Sequence, residues 1–293
     1  MPFKNEKQLE LGELDSKSRA TGAHIQLKDS DESTEKREPK LTYDPVGWHN
    51  YKFFYGDGSK KAWLMNRGHL IGYQFSGLND EKKNLVPMTN WLNAGNYSGT
   101  DDQNQSSMLY YENRLDSWLA NHPNYYLDYK VTPIYQKDEL IPRQIELQYV
   151  GIDENGKLLE IKLGGSKEKV DQYSVTHVIL DNVSANAEIN YLDGTAKNTV
   201  EDAKIKEEKE KAKKEAEEKA KKEAEEKEAA EKKAKEEEQE KARQAAQEKE
   251  ESWESNSQST NSGGYFRDRN GRWHRPNGKF ASKKEIREAG LQW

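Results

Sequence analysis

The stretch Ala62-Trp63-Leu64-Met65-Asn66-Arg67-Gly68-His69-Leu70-Ile71-Gly72-Tyr73 sets an arginine, a glycine and a histidine side by side inside an apolar run. Arg67 offers a planar fork of donors that matches a phosphate, and Gly68 lets the backbone pass close beside the histidine. Taken alone, His69 reads more readily as a packing or surface residue than as a catalyst, so its neighbours must decide. Downstream, Lys83-Asn84-Leu85-Val86-Pro87-Met88-Thr89-Asn90-Trp91-Leu92-Asn93-Ala94-Gly95 joins a short extended apolar run to a helix start, with Asn93 in the first turns. From Ser107 to Asn121, Met108, Tyr111, Leu115, Trp118 and Leu119 recur at helical spacing ahead of Pro123, which predicts an amphipathic helix carrying Glu112. Asn93 and Glu112 are individually anonymous polar residues.

Strands surround this region. Tyr55-Gly56-Asp57-Gly58 signals a turn. Asp153-Glu154-Asn155-Gly156-Lys157 separates Gln148-Tyr149-Val150-Gly151-Ile152 from Leu158-Leu159-Glu160-Ile161, which predicts a β-hairpin. Strands dominate and helices intervene, so the expected class is α+β with a central antiparallel sheet.

The chain of 293 residues is only 32% hydrophobic, with a mean hydropathy of -1.20. That is too polar for uniform globularity. The excess lies in 201–251, which is almost entirely Lys, Glu, Ala and Gln, so only 1–200 can bury a sizeable core. Formal charge is -6 over 1–200, -4 over 201–251 and +4 over 252–293. An acidic body thus carries a basic tail. Within the body, 51–100 is the basic exception, with Lys52, Lys60, Lys61, Arg67, Lys82 and Lys83 against Asp57, Asp80 and Glu81.

In 201–251 the octad Lys-Ala-Lys-Lys-Glu-Ala-Glu-Glu occurs at 211–218 and again at 219–226, which sets Glu215 four residues from both Lys211 and Lys219. Apolar residues larger than Ala are nearly absent, so no seam drives a coiled coil. A solitary charged helix, ~75 Å if fully formed, is expected as a spacer, with solvated disorder as the alternative. The Ser/Asn/Gly composition of 252–264 predicts a flexible linker. The final segment, 265–293, has eight basic and three acidic residues interleaved with Tyr265, Phe266, Trp273, Phe280 and Trp293. A turn at Arg272-Trp273-His274-Arg275-Pro276-Asn277-Gly278, followed by the capping-box pattern Ser282-Lys283-Lys284-Glu285, predicts a small β-turn-α module. Aromatics beside arginines suit nucleic acid; an anionic cell-wall polymer is the alternative ligand, and a basic module that merely holds itself together is the plain one.

Taken in order, Asn66-Arg67-Gly68-His69, Asn84 with Asn93 nine residues later, and Tyr110-Tyr111-Glu112 resemble the DNA/RNA non-specific endonuclease family with its ββα-metal (His-Me finger) site. The streptodornase branch is the nearest likeness, and it runs from about Arg19-Ala20-Thr21-Gly22-Ala23-His24 through Pro142-Arg143-Gln144. The resemblance implies a metal-dependent, sequence-nonspecific endonuclease of DNA, with DNA plus RNA as the alternative substrate range. In it His69 matches the general base that activates water. Asn93 matches the single protein ligand of a hydrated magnesium ion, with manganese as the alternative metal. Glu112 matches the acidic residue that holds the metal's waters, Arg67 the arginine that meets developing phosphoryl charge, and Asn84 a supporting asparagine. Two features depart from the pattern: Asn66 stands where the common motif has Asp, and the polar run Asn96–Gln105 lengthens the spacing from Asn93 to Glu112 as a loop inserted before the helix.

The other histidines, His24, His49, His122, His177 and His274, lack metal-ligand spacing, and no P-loop, GxSxG or paired zinc motif occurs. With no cysteine, disulfides, thiolate nucleophiles and cysteine zinc sites are excluded, a usage that suits secretion from Gram-positive-type cells. Met1-Pro2-Phe3-Lys4-Asn5-Glu6 has neither the basic nor the apolar stretch of a signal peptide, and no run of 18 apolar residues could span a bilayer. Either a leader is missing from this sequence, in which case secretion or surface display is expected, or the protein stays inside the cell. Two competing functions remain on this reading: a catalytically degenerate DNA-binding protein, to which Asn66 points, and a surface-attached protein whose working part is the charged helix.

Overall fold

The computed structural model describes the backbone of residues 1–38, 40–257 and 263–293, and the side chains of all of these but 250–257. Two compact units divide the chain, Met1–Glu210 and Lys211–Trp293.

The first unit begins with β1 (Gln8–Leu11) and β2 (Ala23–Leu27), followed by a hairpin of β3 (Lys52–Tyr55) and β4 (Lys60–Trp63). Next come β5 (Met65–His69), the short helix α1 (Tyr73–Ser76), β6 (Leu85–Thr89), α2 (Asn90–Ala94) and α3 (Met108–Asn121). The rest comprises β7 (Tyr126–Ile134), β8 (Gln144–Ile152), β9 (Leu158–Leu159), β10 (Lys169–Val170), β11 (Thr176–Asp181), β12 (Ala187–Ile189) and β13 (Ala196–Asn198). A seven-stranded sheet in the order β1-β2-β7-β8-β11-β10, with β9 also paired to β8, is antiparallel throughout. The class is α+β with a central antiparallel sheet, as expected. The predicted hairpin is present: Gly151 and Ile152 face Leu159 and Leu158, and Gly156 at φ 79° makes the left-handed turn between them.

The core forms where one sheet face meets α3. Tyr129, Leu147, Tyr149 and Val178 from the strands share a buried cluster with Tyr111, Leu115 and Leu119 from the helix. This helix starts where the sequence placed it, because the Ser107 hydroxyl accepts the Tyr110 N–H, satisfying an amide that has no partner within the first turn.

A separate ribbon carries the conspicuous sequence. β5 pairs antiparallel with β6, Met65 facing Thr89 and His69 facing Leu85, and α2 follows β6 without a loop. Thr89 caps α2 by accepting the Leu92 N–H at 3.0 Å. Buried Asn182, just after β11, fixes this ββα unit beside the sheet: its oxygen accepts the Thr89 N–H, and its amide donates to the carbonyls of Pro87 and Pro142. Gly68 acts through packing as well as through access to the histidine, since a β-carbon there would lie 2.4 Å from the Met88 sulfur. Gly68→Ala is therefore expected to cost about 1–3 kcal/mol of stability by displacing Met88; a denaturation midpoint equal to wild type would show that the ribbon can relax instead.

The helix α4 (Ala203–Ser257) begins in the first unit and continues into the second. It runs past 251 into the stretch that composition assigned to a linker, because a long helix propagates cheaply through residues of middling propensity. Residues 258–262 of that linker lie outside the described residues. The ion pairs on α4 follow the four-residue spacing, but Lys219 pairs with Glu223 rather than Glu215, alongside Lys213–Glu217 and Lys221–Glu225. In the C-terminal module, β14 (Phe266–Arg267) pairs with β15 (Trp273–His274), and α5 (Lys283–Glu288) follows with the predicted reciprocal cap between Ser282 and Glu285. Ala281 and Ile286 form its small buried centre.

Candidate active site

A cleft of about 830 Å³ opens along β5, α2 and α3, and Asn66, Arg67, His69, Asn93 and Glu112 all line it. Residues spread over more than forty positions of sequence thus face one space. Asn84 is not in the wall. It lies fully buried behind it, where its side-chain oxygen accepts the Ile71 N–H at 3.0 Å and its amide donates to the Ile71 carbonyl at 2.9 Å. These two bonds fix the bend after His69. The next amide, Gly72 N–H, donates to Glu112 Oε1 at 2.9 Å. Gly72 is the residue that fits here, because a β-carbon would stand 2.8 Å from Glu112 Oε2.

His69 is 9% exposed, and its Nε2 lies 2.7 Å from the Asn79 carbonyl oxygen. A carbonyl only accepts, so Nε2 carries the proton and Nδ1 keeps its lone pair. Burial pushes the imidazole pKa below its ordinary value; the Asn79 hydrogen bond opposes that shift and the Arg37 charge adds to it. The ring is accordingly neutral at neutral pH. Glu112, 8% exposed, responds in the other direction: burial raises its carboxyl to about 8, with the Gly72 hydrogen bond and the Arg37 charge pulling down.

Asn66 donates from its side-chain amide to Asn90 Oδ1 at 2.7 Å, and the Asn90 amide in turn donates to the Asn96 carbonyl at 2.7 Å. The residue standing in place of the common Asp thus ties β5 to α2 and to the loop that follows. That loop is held at both ends, with Asn104 donating to the Gly95 carbonyl and Arg114 of α3 donating to the Asp102 carbonyl. The longer spacing from Asn93 is absorbed in this loop, whose Thr100 reaches the cleft wall, and Glu112 still lines the cleft. Arg67 reaches Asp44 at 2.5 Å and lies 4.2 Å above the Trp48 ring. Its guanidinium is therefore held at the cleft by an exposed carboxylate that a phosphate could replace.

Arg37 and Asn79 were not legible in the sequence. Arg37 Nη2 lies 3.5 Å from His69 Nδ1, and its Nε donates to Asn79 Oδ1 at 3.1 Å. Within Glu35-Lys36-Arg37-Glu38 it looks like any member of a solvated charge run, and no spacing rule singles it out. The remaining histidines are occupied elsewhere, His24 with Asp128 in the sheet, His177 with Glu146 and Asp171, and His122 with the Trp118 carbonyl.

The donors available to a metal are hard oxygens, the Asn93 amide and the Glu112 carboxylate, and the described residues contain no group of three His, Cys, Asp or Glu that could cage an ion. So few protein ligands suit a cation that keeps most of its water, as magnesium does. The Glu112 carboxyl, its pKa raised by burial, would be relieved by such a cation.

A sequence profile of the DNA/RNA non-specific endonuclease family matches residues 3–103 and 98–151, which together take in Arg37, the whole β5–β6–α2 unit and Glu112. The chain belongs to this family. An "extracellular nuclease" of known structure is 52% identical over 68% of this chain and 97% of its own, with a TM-score of 0.57. An "extracellular endonuclease" is 54% identical over 67% of this chain and 89% of its own, also at 0.57. Much farther away lies NucA from Streptococcus agalactiae with magnesium ion bound, 19% identical over 66% of this chain and 80% of its own, at a TM-score of 0.49. None of the curated proteins matches the chain. The family is metal-dependent, and the chain is a nuclease whose substrate is nucleic acid. Among the described residues no helix is long and apolar enough to cross a membrane.

Proposed function

We propose that this protein is a sequence-nonspecific endonuclease of DNA and RNA in which His69 activates the attacking water. The observation that carries this reading is the tautomer of His69: the Asn79 carbonyl holds the proton on Nε2, so Nδ1, which Arg37 Nη2 approaches at 3.5 Å, keeps its lone pair on a residue that lines the same cleft as Asn93 and Glu112. From a water placed against the scissile phosphate, Nδ1 takes the proton as the new phosphorus–oxygen bond forms; the phosphorus–oxygen bond to the leaving sugar breaks, and that oxygen takes a proton from solvent. Arg67 exchanges Asp44 for the phosphate and meets the charge that develops on its oxygens. Arg37, beside His69, draws the same polyanion toward the base and disfavours premature protonation of the imidazole.

Asn93 would hold a hydrated magnesium ion through its amide oxygen, with manganese as a substitute, and Glu112 would orient the ion's waters. Bound there, the cation supplies electrostatic stabilisation of the leaving oxygen. Asn66 and Asn84 act as supports, through Asn90 and Ile71 respectively.

Incubation with supercoiled plasmid, linear duplex and RNA, each with magnesium and with chelator, tests the proposal. Magnesium-dependent cleavage of all three, without preferred sites, is expected. Binding without cleavage would instead establish the degenerate, DNA-binding alternative. The pH–rate profile offers a separate check on the base. Because the His69 pKa is depressed, the active neutral imidazole persists below pH 6.5, and the acid limb falls about tenfold per pH unit only beneath that value. An acid limb centred above 6.5 would assign the base elsewhere.

The nuclease domain (1–200), the charged spacer (201–251) and the linker (252–264) end in a module with a charge of +5 over 265–293, which we read as a tether to a polyanion, nucleic acid or anionic cell-wall polymer. Deleting 252–293 is then expected to leave cleavage of saturating DNA unchanged while weakening binding at low salt and flattening its salt dependence. Gel shifts across a salt series would decide, identical slopes for full-length and truncated protein ruling out contact of the tail with DNA. The extracellular relatives support secretion.

A further inference from the structure

The C-terminal module turns one face of its small sheet into a row of aromatic rings. In the β14–β15 register Phe266 faces His274, and His274 is bridged in turn to Phe280 on its other side. The Phe266 and His274 rings are stacked at 5.3 Å and an interplanar angle of 13°, and His274 and Phe280 follow at 4.5 Å. His274 is the sheltered middle ring, fixed by Asp268 at 2.9 Å. The two outer rings remain open, Phe266 at 48% and Phe280 at 58% exposure. An apolar ring left that exposed at each end of a stack is unusual in a module too small to waste apolar surface.

The opposite face is already used. Arg267 and Trp273, one residue along each strand, both donate to the Gln292 carbonyl, so the chain after α5 meets that side. Charge follows the same division. Each acidic residue of the module has a basic partner within it, Asp268 with His274, Glu285 with Arg275 and Glu288 with Lys284. The surplus positive charge is carried by exposed residues, including Arg272, whose guanidinium lies 5.8 Å from the Phe280 ring centre, and Lys279 next to it.

We infer that the Phe266–His274–Phe280 face is a stacking platform for single-stranded nucleic acid, with Arg272 and Lys279 meeting the backbone phosphates. This rests on the reading of the module as a polyanion tether and narrows it to one ligand. Bases of a single strand expose flat faces to stack on open rings, whereas a duplex hides them and a cell-wall polyphosphate has none. The platform would hold strands that the nuclease domain cuts.

Full-length protein in chelator, titrated with fluorescent oligothymidine, with the matching duplex and with inorganic polyphosphate as competitor, tests the assignment by anisotropy. Replacing Phe280 with leucine keeps its apolar bulk but removes the aromatic face, and the same holds for Phe266→Leu. Each is expected to weaken oligothymidine binding at least about fivefold, with duplex affinity and polyphosphate competition unchanged, while Phe280→Tyr binds like wild type. Arg272→Ala with Lys279→Ala is expected to weaken all three ligands and flatten the salt dependence. Leucine variants that bind oligothymidine as tightly as wild type, or a tyrosine variant that loses as much as leucine, would overturn the platform. If the charge variant still loses affinity in that case, the tether survives without the platform; if no variant changes binding to any ligand, both readings fall.

Discussion

Replacing His69 with alanine is expected to slow phosphodiester cleavage about 10²- to 10⁴-fold and to leave nucleic-acid affinity nearly unchanged. A general base lowers the barrier to attack and contributes little to holding the substrate, which Arg37, Arg67 and the bound metal do. The fold should survive, because His69 sits at the end of β5, where its backbone pairing with Leu85 does not depend on the ring. What is lost is the hydrogen bond to the Asn79 carbonyl, worth about 0.5–1.5 kcal/mol. Plasmid nicking by the purified variant, together with filter binding in chelator, separates the two effects. Nicking at the wild-type rate would remove His69 from the reaction, and loss of binding in parallel with loss of rate would make it a binding residue instead.

The second large effect is expected at Asn93. Its amide oxygen is the protein's direct hold on the metal in the proposed site, so Asn93→Ala should raise the magnesium concentration needed for half-maximal rate and lower the rate reached at saturation. Glu112 acts through the metal's waters, where loss of a partner typically costs about 10- to 100-fold in metal affinity or activity; Glu112→Ala should fall in that range and remain milder than Asn93→Ala. Glu112 has a structural duty as well, since Gly72 N–H donates to it. Glu112→Gln keeps an acceptor for that amide and separates the two roles: a glutamine variant as impaired as alanine points to the metal, one restored to wild type points to the bend. A magnesium titration indifferent to both Asn93 and Glu112 would place the metal elsewhere.

The two departures from the common motif turn on how local polar groups are satisfied. Asn66 uses its amide to reach Asn90, and Asn90 then secures the start of the inserted loop. An aspartate would bring no N–H to that contact, so the substitution and the loop are linked by one hydrogen-bond chain. Spacing along the sequence set the extra residues before Glu112 apart; in three dimensions they form a loop anchored beside α2 and α3 whose Thr100 reaches the cleft wall.

By itself the sequence determined whatever depends on near neighbours. Periodicity and a serine cap set α3, a five-residue turn set the hairpin after β8, alternating charge set α4, and Ser282 with Glu285 set α5. His69, Asn93 and Glu112 could be singled out only as an ordered set resembling the family, since each is anonymous taken alone, and all three line one cleft. Only the tertiary structure decided what those residues face. The proton on His69 is placed by a carbonyl ten residues away, Arg37 arrives from a charge run with no signature, and Asn84 and Asn182 act from behind the wall. The physical reason is range: caps, turns and periodicity are satisfied within a few residues, whereas burial, desolvation and the pairing of buried polar groups are properties of the packed whole.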